Sequence, residues 1–361
     1  MNKPISDGSV IVLGAGATKA FLPAAPLAVD DYGLERLLDE FRQFRHAQAL
    51  LEFERKRRPT GLINIEDLMT RLQGRMPYDS HEAVAQQSVL FSALMREFRQ
   101  RISTARQKEF HQNELDALAR VCIHKNISCI TFNYDDVFDE ALWNFKPLHR
   151  GHRGHSHPKH WHPDGGYGFF CRPSSLAIND MPQYMNKTSM LLLKLHGSIN
   201  WYPKKGENAP YRLDAIHHEE DWFALKSEDY LDTRELIARH FEPTPFIVPP
   251  VLDKSVLTQE PILQLVWALP QKTLKTASHI HFVGYSMPAT DLAAAFLFGE
   301  SIEDPTHRIS VINFAQTQNH REQVQSAYRK VFPQLTNDQF TFDGALEWVR
   351  NTCSQEDTAP S

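Results

Sequence analysis

The chain has 361 residues, of which 42% are hydrophobic and 23% are charged, and its formal net charge is −5. This length allows one large core, or a core with an accessory lobe, and the composition is that of an ordinary globular protein. No apolar run approaches the roughly 20 residues that span a bilayer, and the negative charge argues against a general nucleic-acid binder.

The chain has four cysteines, which are Cys122, Cys129, Cys171 and Cys353. None of them forms a C-x₂-C pair, so neither a zinc motif nor a disulfide framework is indicated. The first eight residues lack the pattern of a signal peptide. We therefore expect a reduced, cytoplasmic protein with no membrane segment.

Short apolar runs typical of buried strands recur along the chain at residues 9–13, 127–132, 190–195, 246–248, 279–284 and 309–314. Because they alternate with helical spacing, they predict an α/β fold with a doubly wound, Rossmann-like parallel sheet of about six strands.

Three parts are predicted along the chain. Residues 1–29 and 127–350 form the Rossmann-like domain, and residues 351–361 form a disordered tail. Residues 30–126 have the three-and-four spacing of amphipathic helices, and this stretch is too long for an ordinary crossover. We interpret it as a helical insertion after the first strand, which caps the site or forms an oligomer.

The first predicted strand ends in Gly14-Ala15-Gly16-Ala17-Thr18. Such a turn permits close approach of a pyrophosphate at the start of a helix, and Thr18 can cap that helix. Lys19 stands where a third glycine would complete G-x-G-x-x-G, so this is not the dehydrogenase fingerprint. A plain strand-to-helix turn is an equally good interpretation.

Residues 131–136 read TFNYDD and follow the second predicted strand. The Asn133 amide suits a ribose hydroxyl or a water, and Asp135 adds negative charge where a cationic transition state needs it. The alternative is structural, with Asn133 as a turn residue and Asp135 or Asp136 as a helix cap.

The third predicted strand, residues 190–195, is followed by His196 and Gly197. A histidine at the edge of the crevice can take a proton from a sugar hydroxyl, although an isolated histidine there is more often structural. Parallel strands thus deliver a glycine turn, an Asn/Asp pair and a histidine to one edge of the sheet.

Polar residues also follow the last two strands. Gly284-Tyr285-Ser286 ends one strand and Asn313 lies near the end of the other, so Ser286 is a candidate for phosphate and Asn313 for the adenosine ribose. Asp291 is better explained as the cap of the next helix.

Six histidines lie between His149 and His162. Clustered imidazoles suit zinc, but no cysteine or glutamate accompanies them at motif spacing. No metal is predicted.

Taken in order, the segments GAGAT, TFNYDD, LKLHGS, VGYS and VINF resemble the bacterial sirtuin-like domains of anti-phage defence. The resemblance implies that NAD⁺ is the substrate. It makes Asn133 and His196 catalytic, and Asp135 the acid of the same motif. The dinucleotide-contacting positions would be Gly14, Ala15, Gly16, Thr18, Gly284, Ser286 and Asn313.

Two departures from the protein-deacetylating sirtuins separate the possible reactions. Phe132 stands where those enzymes carry a glutamine, and no four-cysteine zinc module is present. Water is therefore favoured over an acyl-lysine as acceptor, which predicts an NAD⁺ glycohydrolase (NADase). An NAD-dependent deacylase or ADP-ribosyltransferase, and a non-catalytic nucleotide-binding assembly subunit, remain as alternatives.

The resemblance also implies partners. Members of this group deplete NAD⁺ on infection together with a sensor such as a HerA-like ATPase or a short Argonaute. We expect a homo-oligomer formed through the helical insertion, a separate sensor protein, and no direct contact with nucleic acid.

Overall fold

The computed structural model describes residues 4–57, 62–145, 161, 163–169, 190–203, 213–215, 245–248 and 261–353. The strands within these ranges are β1 (Ser9–Leu13), β2 (Val29–Asp30), β3 (Ile63–Asn64), β4 (Ser128–Thr131), β5 (Leu192–Lys194), β6 (Trp201–Pro203), β7 (Leu213–Ala215), β8 (His279–Val283), β9 (Ile309–Ile312) and β10 (Phe340–Thr341).

The helices within the same ranges are α1 (Ala15–Phe21), α2 (Leu34–Glu40), α3 (Arg45–Arg57), α4 (Ile65–Gln73), α5 (His81–Arg106), α6 (Gln112–His124), α7 (Val137–Asn144), α8 (Pro163–Gly166), α9 (Pro261–Thr276), α10 (Leu292–Ser301), α11 (Pro305–Arg308), α12 (Gln318–Val331) and α13 (Gly344–Cys353). A short 3₁₀ helix, Asn337–Gln339, precedes β10. No helix in the described part of the chain is long and apolar enough to cross a membrane.

The central sheet has six strands in the order β10-β9-β8-β1-β4-β5, and each neighbouring pair is parallel. In chain order, β1 leads outward to β4 and β5, and the chain then returns to the other side of β1 for β8, β9 and β10. The switch point of this doubly wound sheet therefore lies between β1 and β8, and a crevice is expected at their carboxyl ends. The predicted fold class is confirmed.

Burial explains why these segments form strands. Every residue of β1, β8 and β9 is buried, as expected for parallel strands covered on both faces by helices. The apolar runs supply β-branched and aromatic side chains to one continuous core.

The helical insertion occupies the chain between β1 and β4. It contains the helices α2 to α6 and a two-stranded antiparallel ladder of β2 and β3. Its contacts near the carboxyl edge of the sheet include two side-chain bonds to backbone carbonyls. Gln73 Nε2 donates to Ile247 O at 3.1 Å, and Arg99 Nη2 donates to Ile199 O at 3.0 Å.

One predicted strand is wrong. Residues 246–248 form only an isolated antiparallel bridge between Ile247 and Gly197, because the double proline at 249–250 leaves no length for a ladder. The sixth strand of the sheet is instead β10, whose two residues are too few to give a periodic signal. The chain also remains helical to Cys353, so the first three residues of the predicted tail belong to α13.

Candidate active site

Two glycine-containing turns meet at the switch point of the sheet. Gly14 donates its backbone N–H to Val283 O at 3.0 Å, and Gly16 donates to Gly284 O at 2.9 Å. A Cβ placed on Gly14 would lie 2.4 Å from Tyr285 Cα. The glycines after β1 are therefore required first by the contact between these two turns.

The same contact between the turns also requires glycine at position 284, after β8. Gly284 has φ +63°, and a Cβ there would lie 2.0 Å from Ala17 N. This left-handed conformation and the close approach together admit only glycine. Ala15 and Ser286 are exposed on the two touching turns, so they form the rim that a ligand would meet.

Asn133 connects the end of β4 to the turn after β1. Its Nδ2 donates to Gly14 O and to Thr18 Oγ1, both at 3.0 Å, and its backbone N–H donates to Thr131 Oγ1 at 3.1 Å. Both side-chain bonds among the described residues use the amide nitrogen. The acceptor Oδ1 is consequently left for a ligand or water.

The hydrogen-bond network continues from Thr18 to Asp135. The Thr18 hydroxyl donates to Asp135 Oδ2 at 2.9 Å, and Asp135 Oδ1 accepts the backbone N–H of Val137 at 3.1 Å. Burial raises the pKa of Asp135, while the nearby positive charge of Lys194 opposes that shift. The prediction that Thr18 caps α1 is wrong, because the helix begins after Gly14 without a side-chain cap. Thr18 lies inside the helix, and its hydroxyl bonds to the Asn/Asp motif instead.

A buried lysine lies beneath this motif and was not singled out from the sequence. Lys194 is 0% exposed, and its Nζ donates to Asp139 Oδ2 at 3.0 Å, to Asp139 Oδ1 at 3.2 Å and to the backbone carbonyl of Asp135. Tyr167 also donates to Asp139 at 2.5 Å. Burial raises the pKa of Asp139 against the opposing charge of Lys194.

The signal for this ion pair was present in the sequence. Lys194 is the last residue of an otherwise apolar strand, which is an unusual place for a charge. Asp139 lies four residues beyond Asp135, in the first turn of α7. Only the fold brings the two charges together.

A cavity of about 20 Å³ lies within this cluster, which is room for about one water molecule. Its lining includes the polar side chains of Thr18, Asn133, Asp135, Asp139 and Lys194. His196 is not among the described residues that line it.

His196 lies on the other side of the Asn133 segment. Side chains alternate along an extended chain, and His196 contacts the rings of Phe132 and Tyr134 at centroid distances of 5.1 and 6.2 Å. The Trp267 ring lies 6.3 Å away. Thr18, Asn133 and Asp135 are thus brought together directly, whereas His196 is separated from them by Phe132 and Tyr134.

Asp291 faces His196 at the start of α10. Its Oδ1 accepts the backbone N–H of Ala294 at 3.3 Å, so the predicted helix cap is confirmed. Its Oδ2 lies 3.4 Å from His196 Nε2. The sequence interpretation found the first role of Asp291 and missed the second.

Asn313 contacts the turn after β8. Its Nδ2 donates to Tyr285 O at 2.9 Å, and Tyr328 donates to the same carbonyl at 2.8 Å. Asn313 therefore holds the backbone that carries Ser286.

The helical insertion also places a carboxyl group near this edge. Burial first, and then the negative charges of Asp291 and Asp67, raise the pKa of Glu66 to about 7. The negative charge of Glu66 also acts on Tyr134, whose pKa burial raises well above its usual range. Nothing in the local sequence distinguished Glu66 from other residues of an amphipathic helix.

No group of three or more metal-ligating side chains occurs in the described part of the chain. The six histidines between positions 149 and 162 lie outside the described residues. The chain matches no family model and no curated protein.

Proposed function

We propose that this protein is a sirtuin-like NAD⁺ glycohydrolase that cleaves the bond between nicotinamide and ribose. The observation that supports this most is the network at the switch point. There Asn133 bonds to Gly14 and Thr18, and Thr18 bonds to Asp135. These bonds join the GAGAT and TFNYDD segments, two of the motifs on which the sirtuin-like resemblance rests. They lie at the edge where doubly wound sheets bind dinucleotides.

The available donors and acceptors fit a dinucleotide. Ala15 and Ser286 are exposed on adjacent turns, which offers a backbone N–H and a hydroxyl to a pyrophosphate. Asn133 Oδ1 faces no donor among the described residues, so it can accept from a ribose hydroxyl or orient a water.

NAD⁺ supplies its own leaving group, because nicotinamide departs as a neutral base from a cationic ring and leaves an oxocarbenium-like sugar. The protein need only hold the ribose, exclude bulk water and orient one nucleophile. In this proposal Asn133 positions the ribose or water, and His196 accepts a proton. Asp135 fixes Thr18 and, when ionised, adds negative charge near the developing cation.

We further propose that the activity depletes NAD⁺ in the cytoplasm during anti-phage defence. Activation would require a separate sensor such as a HerA-like ATPase or a short Argonaute, and the helical insertion would form a homo-oligomer. The buried cysteines Cys122, Cys129 and Cys353 form no disulfide with one another, which is compatible with a reducing compartment.

The test is NAD⁺ loss and nicotinamide release by the purified full chain in buffer without any acylated peptide or protein acceptor. The assay is run with and without the protein encoded by the adjacent gene, which covers activation by a partner. We expect nicotinamide release by the wild type, and its loss in Asn133→Ala and in His196→Ala.

Asn319→Ala and His320→Ala are the matched controls, because both residues are exposed on α12 and should keep full activity. Cleavage that requires an acylated peptide would instead establish a deacylase. NAD⁺ binding without turnover in every arm would establish an assembly subunit.

A further inference from the structure

The two proposed catalytic side chains lie on short connections that follow neighbouring strands. We call them the asparagine connection (residues 132–136, after β4) and the histidine connection (residues 195–200, after β5). The N–H of Ile199 donates to Tyr134 O at 2.9 Å, and the Ser198 hydroxyl donates to the same carbonyl at 3.3 Å. The two connections are therefore bonded to each other, and their positions together determine how far apart the catalytic side chains lie.

One helix of the insertion contacts both connections. Arg99 on α5 donates through Nη2 to Ile199 O at 3.0 Å. Farther along α5, Arg106 Nη2 donates to Asp136 Oδ1 at 3.1 Å, and Arg106 Nη1 lies 2.8 Å from Glu140 Oε2 on α7. Because seven residues make about two turns of an α-helix, both arginines extend from the same face of α5.

These bonds lie beside a gap in the packing. A cavity of about 320 Å³ is lined by both arginines and by Ser103, Asp136 and Ile199 among others. Water in such a space can solvate a carboxylate or a carbonyl, but it is not attached to the fold and cannot fix their positions. The guanidinium groups are attached to α5, and each can donate in several directions without losing its charge.

We propose that Arg99 and Arg106 are positioning residues that hold the histidine and asparagine connections at a fixed separation, so that His196 and Asn133 act on one dinucleotide. This inference rests on the proposed function. It goes beyond that proposal because it gives the helical insertion a part in assembling the active site. Each arginine acts through the connection that it holds, and a displacement of about 1 Å in such a site can lower the rate about 100-fold.

The test separates the polar bonds of each arginine from the packing of its stem. Methionine keeps an apolar stem and removes the donors, whereas lysine keeps a positively charged donor. The variants are Arg99→Met, Arg106→Met, Arg99→Lys and Arg106→Lys. Arg96→Met is the matched control, because Arg96 lies on the same helix but pairs with Glu40 of α2 at 2.7 Å, within the insertion.

The first measurement is hydrogen exchange of the full-length protein by mass spectrometry, which does not depend on turnover. The N–H of Ile199 is bonded to the asparagine connection, and the N–H of Val137 is bonded to Asp135 at the end of that connection. We expect exchange of the Ile199 peptide in Arg99→Met, and of the Val137 peptide in Arg106→Met, to rise about tenfold or more. The lysine variants and the control should stay within about threefold of the wild type.

The second measurement is kcat and KM for nicotinamide release, with and without the protein encoded by the adjacent gene. We expect kcat to fall about tenfold or more in the methionine variants and to recover in the lysine variants. The KM for NAD⁺ should change by less than about threefold, because the rim at Ala15 and Ser286 is unaltered. If Arg106→Met does not fold, combining it with Asp136→Asn removes the charge that has lost this partner, and the same changes in exchange and kcat are expected.

The two proposals fail separately. Absence of nicotinamide release by the wild type in every arm would remove the proposed function, whereas faster exchange in the methionine variants would still support the positioning role. Exchange and kcat in both methionine variants equal to those of Arg96→Met would overturn that role. Equal losses in the lysine and methionine variants would also overturn it, since the donors would then not be what holds the connections.

Discussion

The amide of Asn133 donates to the hydroxyl of Thr18 at 3.0 Å, across 115 positions of sequence. The same hydroxyl donates to Asp135 at 2.9 Å, so one side chain from α1 joins both polar residues of the TFNYDD motif. Consecutive hydrogen bonds of this kind polarise one another in a buried setting. The geometry of the candidate site therefore depends on Thr18.

Thr18→Val should disrupt the site and weaken the fold. Valine has the shape of threonine but no hydroxyl, so Asp135 loses a donor and the Asn133 amide loses an acceptor. We expect the free energy of unfolding to fall by about 1–3 kcal/mol and nicotinamide release to fall at least about tenfold. Urea denaturation and the NADase assay measure these effects, and Thr18→Ser should restore both because it returns the hydroxyl. Equal activity in Thr18→Val and wild type would refute the role given to Thr18.

Gly284→Ala should be severely destabilising. The residue has φ +63°, and the new Cβ would lie 2.0 Å from Ala17 N, so the two turns at the switch point must separate. We expect a loss of more than about 3 kcal/mol in the free energy of unfolding. Gly299→Ala is the control, since its Cβ would meet only Val331 at 3.7 Å. Within a helix this change should stabilise by about 0.5–1 kcal/mol. Similar unfolding midpoints for both variants would contradict the contact between the turns.

Lys194→Met should cost about 3–5 kcal/mol of stability, because it leaves the carboxylate of Asp139 buried without its partner. Adding Asp139→Asn removes the orphaned charge, so the double variant should be more stable than Lys194→Met alone. A double-mutant cycle by chemical denaturation measures the coupling energy, which we expect to exceed about 1 kcal/mol. Additive effects of the two substitutions would show that the ion pair contributes nothing.

Glu66 should make the fold less stable as the pH rises. Its pKa in the folded state is about 7 against an ordinary value of 4.5, so the folded protein binds this proton more tightly than the unfolded chain does. The stabilisation is fully present below pH 4.5 and is lost as the pH rises through 7. The full effect is on the order of 3 kcal/mol.

Glu66→Gln removes this dependence. The free energy of unfolding of the variant relative to wild type should therefore rise between about pH 4.5 and 7. Glu35→Gln serves as the control, because the Glu35 side chain is 76% exposed on α2. A constant difference between Glu66→Gln and wild type across this range would show that the pKa of Glu66 is not raised.

The parallel sheet was predictable because its strands are buried on both faces. Residues 9–13 are mostly apolar and lie between Gly8 and Gly14, and residues 279–283, in which two histidines alternate with apolar residues, are followed by Gly284. The strand β10 was not predicted, because two residues are too few to show an alternation of apolar and polar side chains. Residues 246–248 have the local sequence of a strand. Their pairing with Gly197 depends on the tertiary structure, which a local sequence pattern does not determine.

The candidate site was predictable only in part, for a similar reason. Local motifs identified Asn133, Asp135 and His196, since each follows a strand of the sheet. Lys194 and Asp291 have their roles through contacts with residues more than 50 positions away, and sequence spacing does not encode such contacts. The glycines were predicted for close approach to a pyrophosphate, whereas the structural reason for them is packing between two turns.

The central claim is that Asn133 and His196, which flank Phe132, act on one dinucleotide. The most direct measurement is a crystal structure of the His196→Ala variant grown with NAD⁺, since this variant should bind without cleaving. We predict a pyrophosphate at Ala15 and Ser286, and a nicotinamide riboside that contacts both Asn133 Oδ1 and the space vacated by the imidazole. A dinucleotide bound elsewhere, or one that reaches Asn133 while residue 196 faces a separate cavity, would contradict the account.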